Sequence, residues 1–533
     1  MTNTDYQGIC RENAERFLKT AFVLDDMPEK VDRVIKQKVA SLTKPSKGVP
    51  LTSSDDEGLT EIPETSLDRG VLIDMFMQKG IVCSIIQPED KKSVSNLRDS
   101  LITAIENVDL PILDWNLFRD DGDTIVSILK HLIEDRSYPE GRVSLILIYT
   151  REPILGAMGR LQDEFNRRLM PEQDRDNVLA MKGLRIVLVD RLSIDEGKLP
   201  DLIIDEFSEV HQGILENGVM QAISEIREKT YHLLNRFPAK LDAPFLAHRA
   251  VLHNPEDSGN HAFELISSEI EALLIQSDLP ARIFQPGAIT RSVNNIPEQK
   301  LINTYLAGVQ PDIHKIRGEI RYIIEKGLPE KDQQTYLIRS TKLKAKKKKE
   351  KKILSQLTDL LSQGDEVESD LNAEFSELFT FEHSYYDSPK QLTLGTLIYG
   401  PLNRKNPNYE LCVLPYCDSE RLKGKVSIPF LALSIQDKPE KKFDITINYN
   451  DTRIKLFLDY SPAKIIKHPF MPTSGSGGRI LSDGGIFYTA YRSDYRWMGT
   501  LKREFALRIA NRLGSEISQV GLNDSEWQRL RAK

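Results

Sequence analysis

The sequence predicts an α/β protein in three parts: an N-terminal doubly wound parallel sheet of five strands, a helical region, and a mixed, mostly β C-terminal domain. Three observations carry this. Over the first 195 residues short apolar runs alternate with amphipathic stretches, the pattern of a parallel sheet covered on both faces. From about 198 to 365 the apolar residues recur at helical spacing and prolines punctuate them. From about 375 the composition shifts to strand formers separated by turn residues. A chain of 533 residues is too long for one core. The expected domains are therefore 1–195, 198–365 and 370–533.

In chain order, residues 7–19 read as a helix and 20–24 as the first strand. A polar insertion, 27–68, follows with Pro45, Pro50 and the acidic run Asp55-Asp56-Glu57. A helix to Lys79 stops at Gly80, and Ile81 to Ile86 is the second strand. Residues 93–107 are helical, 111–114 form the third strand, 122–134 are helical and 143–149 form the fourth strand. A helix then starts at Pro153, and Leu184 to Val189 is the fifth strand.

The totals narrow the function. A net charge of −7 gives no reason to expect nucleic acid or an anionic membrane as partner. Four cysteines cannot build a disulfide framework, which points to a reducing cytosol. The polar amino terminus has no signal-peptide core, and no apolar run is long enough to span a bilayer. A cytoplasmic protein is expected.

The chemistry sits where strands end. The first strand stops at Asp25-Asp26, the third at Asp114 and the fourth at Thr150. In an open α/β sheet the carboxyl ends of such strands line one crevice. One acid alone equally reads as a helix or turn cap; the set in this order reads as a site. Two carboxylates about 4 Å apart repel by about 4 kcal/mol at an effective dielectric near 20, so the three acids hold a proton or recruit a cation. Oxygen ligands suit Mg²⁺ or Mn²⁺, and the backbone carbonyl of Asn116 can join them. A carboxylate beside such an ion can attack phosphorus and become an acyl phosphate. The Thr150 hydroxyl can donate to a phosphoryl oxygen.

The stretches FVLDD, ILDWNL and LILIYT resemble the receiver domain of bacterial two-component response regulators, a flavodoxin-like fold. The resemblance implies Mg²⁺ held by Asp25, Asp26, Asp114 and the Asn116 carbonyl. It implies Asp114 as acceptor of phosphate from a sensor histidine kinase, with Thr150 as the switch hydroxyl. The family's lysine after the fifth strand is missing. The text there is VLVDRLS, which offers Asp190 and Arg191; Arg191 could pair with the phosphoryl group, though Arg and Lys are not interchangeable. With LCVLPYCDSERL and the ending WMGTLKREFALRIANRLGSEIS, the organisation also resembles the receiver-only component of Detocs-type bacterial anti-phage systems. That implies a phosphate buffer competing with a second receiver protein, one that carries an effector, for the same kinase.

The remaining stretches add no chemistry. KLKAKKKKEKK, 342–352, reads either as a basic tract for an acidic partner or as the solvated part of a long helix, and lacks aromatic residues for base stacking. His248 and His253 are five apart, not the four of a zinc-binding turn. Cys412 and Cys417 have no second pair and read as buried strand residues. The glycines at 475–485 lack a P-loop ending. Strands are expected at 392–399, 409–415, 426–434, 443–448 and 454–460, and a closing helix from Met498 to Gln519. No enzyme activity is expected beyond slow self-dephosphorylation. Two other functions stay open: a phosphorylation-switched effector with an unrecognised enzymatic C-terminal domain, and a docking scaffold with an inactive receiver.

Overall fold

The computed structural model describes residues 3–25, 69–88, 91–135, 145–150, 152–172, 175–181, 184–190, 198–252, 255, 258–283, 286–303, 312–327, 357–358, 360–362, 368–436, 443–449, 452–518 and 531. The predicted insertion 27–68 and the lysine tract lie outside these residues. The chain divides into two compact units, Met1–Asn294 with Ile324–Gly327, and Asn295–Ile323 with Leu328–Lys533.

The first unit is built on a sheet of β1 (Thr20–Leu24), β2 (Val82–Ile86), β3 (Leu110–Asp114), β4 (Leu145–Thr150), β5 (Met170–Pro171), β6 (Val178–Met181) and β7 (Leu184–Asp190). The order is β2-β1-β3-β4-β7-β6-β5. The five predicted strands are β1 to β4 and β7, and they run parallel. The predicted count of five is corrected to seven, because β5 and β6 extend the sheet antiparallel beyond β7. The sequence hid this hairpin. Val178–Met181 is a four-residue run almost abutting β7, and β5 is only two residues with a proline.

Strands in this position are covered on both faces, which explains their continuous apolar text. One face carries Phe22, Leu24, Leu113, Ile146, Ile148, Ile186 and Leu188. It lies under α3 (Lys91–Asn107), α4 (Asp123–Lys130) and α5 (Ile154–Glu164). The other face carries Ala21, Val23, Ile112, Leu147 and Val187, and is covered by α1 (Asn3–Phe17), α2 (Arg69–Gln78) and α6 (Leu199–Val210).

Helix α7 (Ile214–Glu228) is tied to the base of this sheet by a buried acid. Asp109 accepts the backbone N–H groups of Lys19 and Thr20 at 3.0 and 3.2 Å and pairs with Arg227 at 2.9 Å. Arg227 also donates to the Phe17 carbonyl at 2.8 Å. One carboxylate thus joins the starts of β1 and β3 to α7. Removing half of a buried hydrogen-bonded pair strands the other half. Asp109→Ala is therefore expected to lower stability by about 3 kcal/mol, read as a lower urea midpoint at unchanged slope.

A second junction joins α1, α7 and α11 (Leu279–Ile283). Burial pushes the Glu225 carboxyl up, but Arg282 at 2.8 Å and Arg16 at 3.0 Å outweigh it and hold the group below the usual carboxylate range. A carboxylate depressed in the folded state stabilises fully above its unfolded value, about 4.3, and loses that contribution as pH falls through its folded value. Thermal midpoints are expected to drop below about pH 4.3, and Glu225→Gln to flatten that drop while lowering the midpoint at neutral pH.

Beyond α7 come α8 (Thr230–Arg236), α9 (Asp242–Val251), α10 (Ser258–Gln276), α11 and α12 (Pro286–Asn294). The helical pattern predicted after residue 198 is present, and its first two helices pack on the first sheet.

The second unit includes α13 (Glu298–Asn303), α14 (Ile313–Lys326, whose last turn belongs to the first unit) and α15 (Glu368–Thr380). Its sheet is antiparallel: β8 (Thr396–Gly400), β9 (Asn408–Cys412), β10 (Val426–Ile435), β11 (Ile445–Tyr449), β12 (Thr452–Leu458), β13 (Ile465–Phe470), β14 (Ile486–Tyr488) and β15 (Asp494–Thr500). The order is β11-β12-β10-β9-β8-β15-β14, with β13 paired to β10. The five strands read from sequence are present, and the last three were missed. The predicted closing helix begins later, as α16 (Arg503–Ser518), because Met498 to Thr500 belong to β15. Cys412 is buried in β9, where burial pushes its thiol up to about 12. Cys417 is exposed on a one-turn helix, which corrects the paired-strand reading. On one face of this sheet, buried Glu410 of β9 meets His468 of β13 at 2.6 Å. The Tyr495 hydroxyl of β15 lies 3.4 Å from the same ring nitrogen. Among the described residues no helix is long and apolar enough to cross a membrane.

Candidate functional site

The carboxyl edge of the first sheet collects the predicted residues. Leu24 of β1 is the register partner of Leu113 of β3, so Asp25 and Asp114 occupy adjacent positions one step on. Parallel neighbours stand about 4.8 Å apart. On the other side of β3, Asp114 is the register partner of Tyr149, and Thr150 follows. Asp25, Asp114 and Thr150 are all buried. By strand alternation the two carboxylates and Tyr149 project on the face of α1, α2 and α6, and Thr150 on the face of α3 to α5.

Each group is held. The Tyr149 hydroxyl donates to Asp25 Oδ2 at 2.5 Å, and the Asp25 N–H donates to the Ile86 carbonyl at 3.2 Å. The Asn116 N–H donates to Asp114 Oδ1 at 3.2 Å, and the Trp115 N–H to the Tyr149 carbonyl at 2.9 Å. Thr150 Oγ1 accepts the Glu152 N–H at 2.9 Å.

A second layer surrounds the acceptor. Trp115, next to Asp114, is fully buried and donates from Nε1 to Glu152 Oε2 at 3.3 Å. Burial pushes the Glu152 carboxyl up, and its hydrogen bond to Asp121 adds to this. Arg160 donates to the Asp121 carbonyl and to Asp123. Glu152 thus links the loop after Thr150 to the loop after Asp114. That second loop is strained. Phe118, Arg119 and Asp121 all have left-handed φ, at 59°, 54° and 54°, each at a cost of about 1–2 kcal/mol. Outliers of this kind concentrate at functional sites.

Sequence reasoning named Asp25, Asp114, Asn116 and Thr150, and the structure brings them to one edge. Asp26 and Arg191 lie outside the described residues. It missed Tyr149, Trp115 and Glu152. The signal for Tyr149 was a hydroxyl inside an otherwise aliphatic strand, LILIYT; Glu152 carried none, because its contacts come from the fold.

The donor set suits a hard divalent cation. Both carboxylates and the Asn116 carbonyl offer oxygen. That carbonyl already accepts the Arg119 N–H at 2.9 Å, which leaves it a second lone pair. Among the described residues, no group of three or more His, Cys, Asp or Glu side chains is placed to hold a metal. The two described carboxylates are the part of the predicted set that can be placed.

The strand order β2-β1-β3-β4-β7 with acids at its carboxyl edge defines a doubly wound domain of the receiver class. Residues 17–192 match the family model of the response receiver domain, so this segment has the sequence pattern of a receiver domain. Receiver domains generally bind Mg²⁺ at the phosphorylation site and work with sensor histidine kinases. The match covers less than half of the 533-residue chain. No curated protein and no solved structure matches the chain.

The tightest constraint on this edge is Gly122. Its φ is +84°, and a Cβ there would fall 2.3 Å from the Trp115 ring. Gly122→Ala is expected to cost about 2 kcal/mol or more, seen as a lower denaturation midpoint by circular dichroism. It should also slow labelling of Asp114, since the ring it displaces adjoins the acceptor.

Proposed function

We propose that Asp114 accepts a phosphoryl group from a partner sensor histidine kinase. The protein then acts as a phosphate buffer in a bacterial two-component anti-phage system of the Detocs type. The observation that carries the acceptor role is buried Asp114 at the end of β3 beside Asp25, inside the segment that matches the receiver model. The kinase and the defence role rest on the sequence resemblance alone.

In the transfer, one Asp114 carboxylate oxygen attacks phosphorus. The P–N bond of the kinase phosphohistidine breaks, and the imidazole leaves and takes up a proton. Asp114 becomes an acyl phosphate. Asp25, Asp26, Asp114 and the Asn116 carbonyl would hold Mg²⁺, which neutralises charge on the transferring group. Tyr149 keeps Asp25 oriented toward this edge. Thr150 leaves the Glu152 backbone to donate to the new phosphoryl oxygen. Arg191 takes the role of the family's lysine. The protein works in the cytoplasm and has no effector chemistry of its own, so phosphate resting on it is phosphate withheld from a second receiver.

Wild-type protein with acetyl phosphate and Mg²⁺ is expected to gain one alkali-labile, hydroxylamine-labile phosphate by mass spectrometry. Asp114→Asn should gain none, and Asp25→Asn should label on the order of tenfold more slowly. Label on wild type mapping to another residue, or no label at all, would overturn the acceptor role. With a limiting kinase, adding wild type should reduce transfer to a second receiver, and adding Asp114→Asn should not.

A further inference from the structure

The net charge of −7 is unevenly spread along the chain. Residues 390–518, which hold the second sheet and α16, carry 20 Lys and Arg against 12 Asp and Glu. Pairing does not absorb this excess. Arg453 and Arg479 meet Glu374 and Glu420. Among the described residues no carboxylate pairs with Lys423, Lys425, Lys467 or Arg492, and all four are exposed.

The fold gathers these cations on one surface. Ile428 and Phe430 of β10 and Phe470 of β13 point into the core. By strand alternation Lys425, just before β10, and Lys467 of β13 point outward. The ladder pairs Val426 with Phe470 and Pro429 with Lys467, so the two lysines share one outer face. The other edge of β13 meets the β14–β15 hairpin, where the Ala490 N–H donates to the Pro469 carbonyl at 2.8 Å. The hairpin turn is closed by the Thr489 N–H on the Ser493 carbonyl and the Arg492 N–H on the Thr489 carbonyl, both at 2.9 Å. It holds Tyr491 against the same face. Lys425 Nζ donates to the Tyr491 hydroxyl at 2.5 Å and stands 4.1 Å from the ring centroid. Tyr491 is 71% exposed, and Tyr488 at the base of the hairpin is 53% exposed. The one acid facing outward from these strands is Asp494, opposite Tyr488 in the ladder.

We propose that this face binds single-stranded nucleic acid, with Lys423, Lys425, Lys467 and Arg492 on phosphates and Tyr488 and Tyr491 stacked on bases. Unpaired cations beside open aromatic rings supply both halves of such binding: charge follows the backbone, and each ring offers a platform that any base can use. The two tyrosines are three positions apart, so their backbones stand no more than about 11 Å from each other. One strand can therefore touch both rings. A duplex keeps its base faces stacked on one another and would leave the rings idle. A face built for a membrane presents Trp, Phe and Leu opposite a basic side, whereas the large aliphatic side chain exposed beside these tyrosines is Met471. An acidic peptide would use the cations and gain nothing from the rings. The face lies wholly in the second unit, so it does not rest on the phosphoacceptor reading.

The test uses the full chain and fluorescein-labelled oligo(dT) and oligo(U) of about 16 nucleotides, read by fluorescence anisotropy. Wild type is expected to bind with a dissociation constant below about 100 µM near 0.1 M salt, and the logarithm of its affinity should fall with the logarithm of salt at a slope of about −3 for four phosphate contacts. Tyr488→Ala with Tyr491→Ala should weaken binding by about tenfold or more at unchanged slope, and the two Tyr→Phe replacements should restore it. Lys425→Gln with Lys467→Gln should flatten the slope by about 1.4. Circular dichroism and phosphate uptake should stay as in wild type for every variant. Binding of either strand type supports the site, and the ratio of the two affinities says which it serves. Failure to bind both strands would overturn the proposal. So would an alanine pair that binds like wild type, polyglutamate bound as tightly as the oligonucleotides, or binding confined to phosphatidylcholine–phosphatidylserine vesicles.

Discussion

Two carboxylates share one buried sheet edge, and much of the first unit serves that placement. Removing an ionised acid from water costs several kcal/mol unless partners compensate. Here the partners are the Tyr149 hydroxyl of β4, which reaches across β3 to Asp25, and the Asn116 N–H, two residues past Asp114. The first depends on the β1–β3–β4 register. A slip of one residue in β4 would turn Tyr149 to the opposite face and leave Asp25 without its hydroxyl. The apolar layers on the two faces, which set that register, therefore also hold the charge pattern at the rim.

How far the sequence could be read follows from the same physics. Asp25, Asp114 and Thr150 were legible because each ends an apolar run, and runs that end together in a parallel sheet end at one edge. Tyr149 was absorbed into its run as one more buried residue, since a pattern of apolar text does not report a hydroxyl's partner. The bond from Trp115 to Glu152 spans 37 positions and exists only once the two loops fold against each other. The hairpin of β5 and β6 was too short to signal, and its second strand nearly merges with β7.

In the second unit the five early strands had clear turns between them. The last three did not. The residues of β13 include a proline and a histidine, and β14 has only three residues. Their pairing depends on distant partners, Val426 to Leu431 for β13 and Thr396 to Tyr399 for β15. Met498 to Thr500 could be read as the start of a helix because the residues after them are helical. The strand wins there because β8 supplies ladder partners for Trp497, Gly499 and Thr500.

The extra hairpin changes the boundary of the first sheet. With β6 and β5 added, β7 is an interior strand, and the new margin is two residues long and contains Pro171. So short a margin, lacking one amide hydrogen, is a poor template for a foreign strand. Among the described strands, β2 is left as the side long enough to recruit one, with Val82 largely open to solvent. Fibrillar growth of this domain would therefore be one-sided, and a charged residue in place of Val82 would close the remaining side.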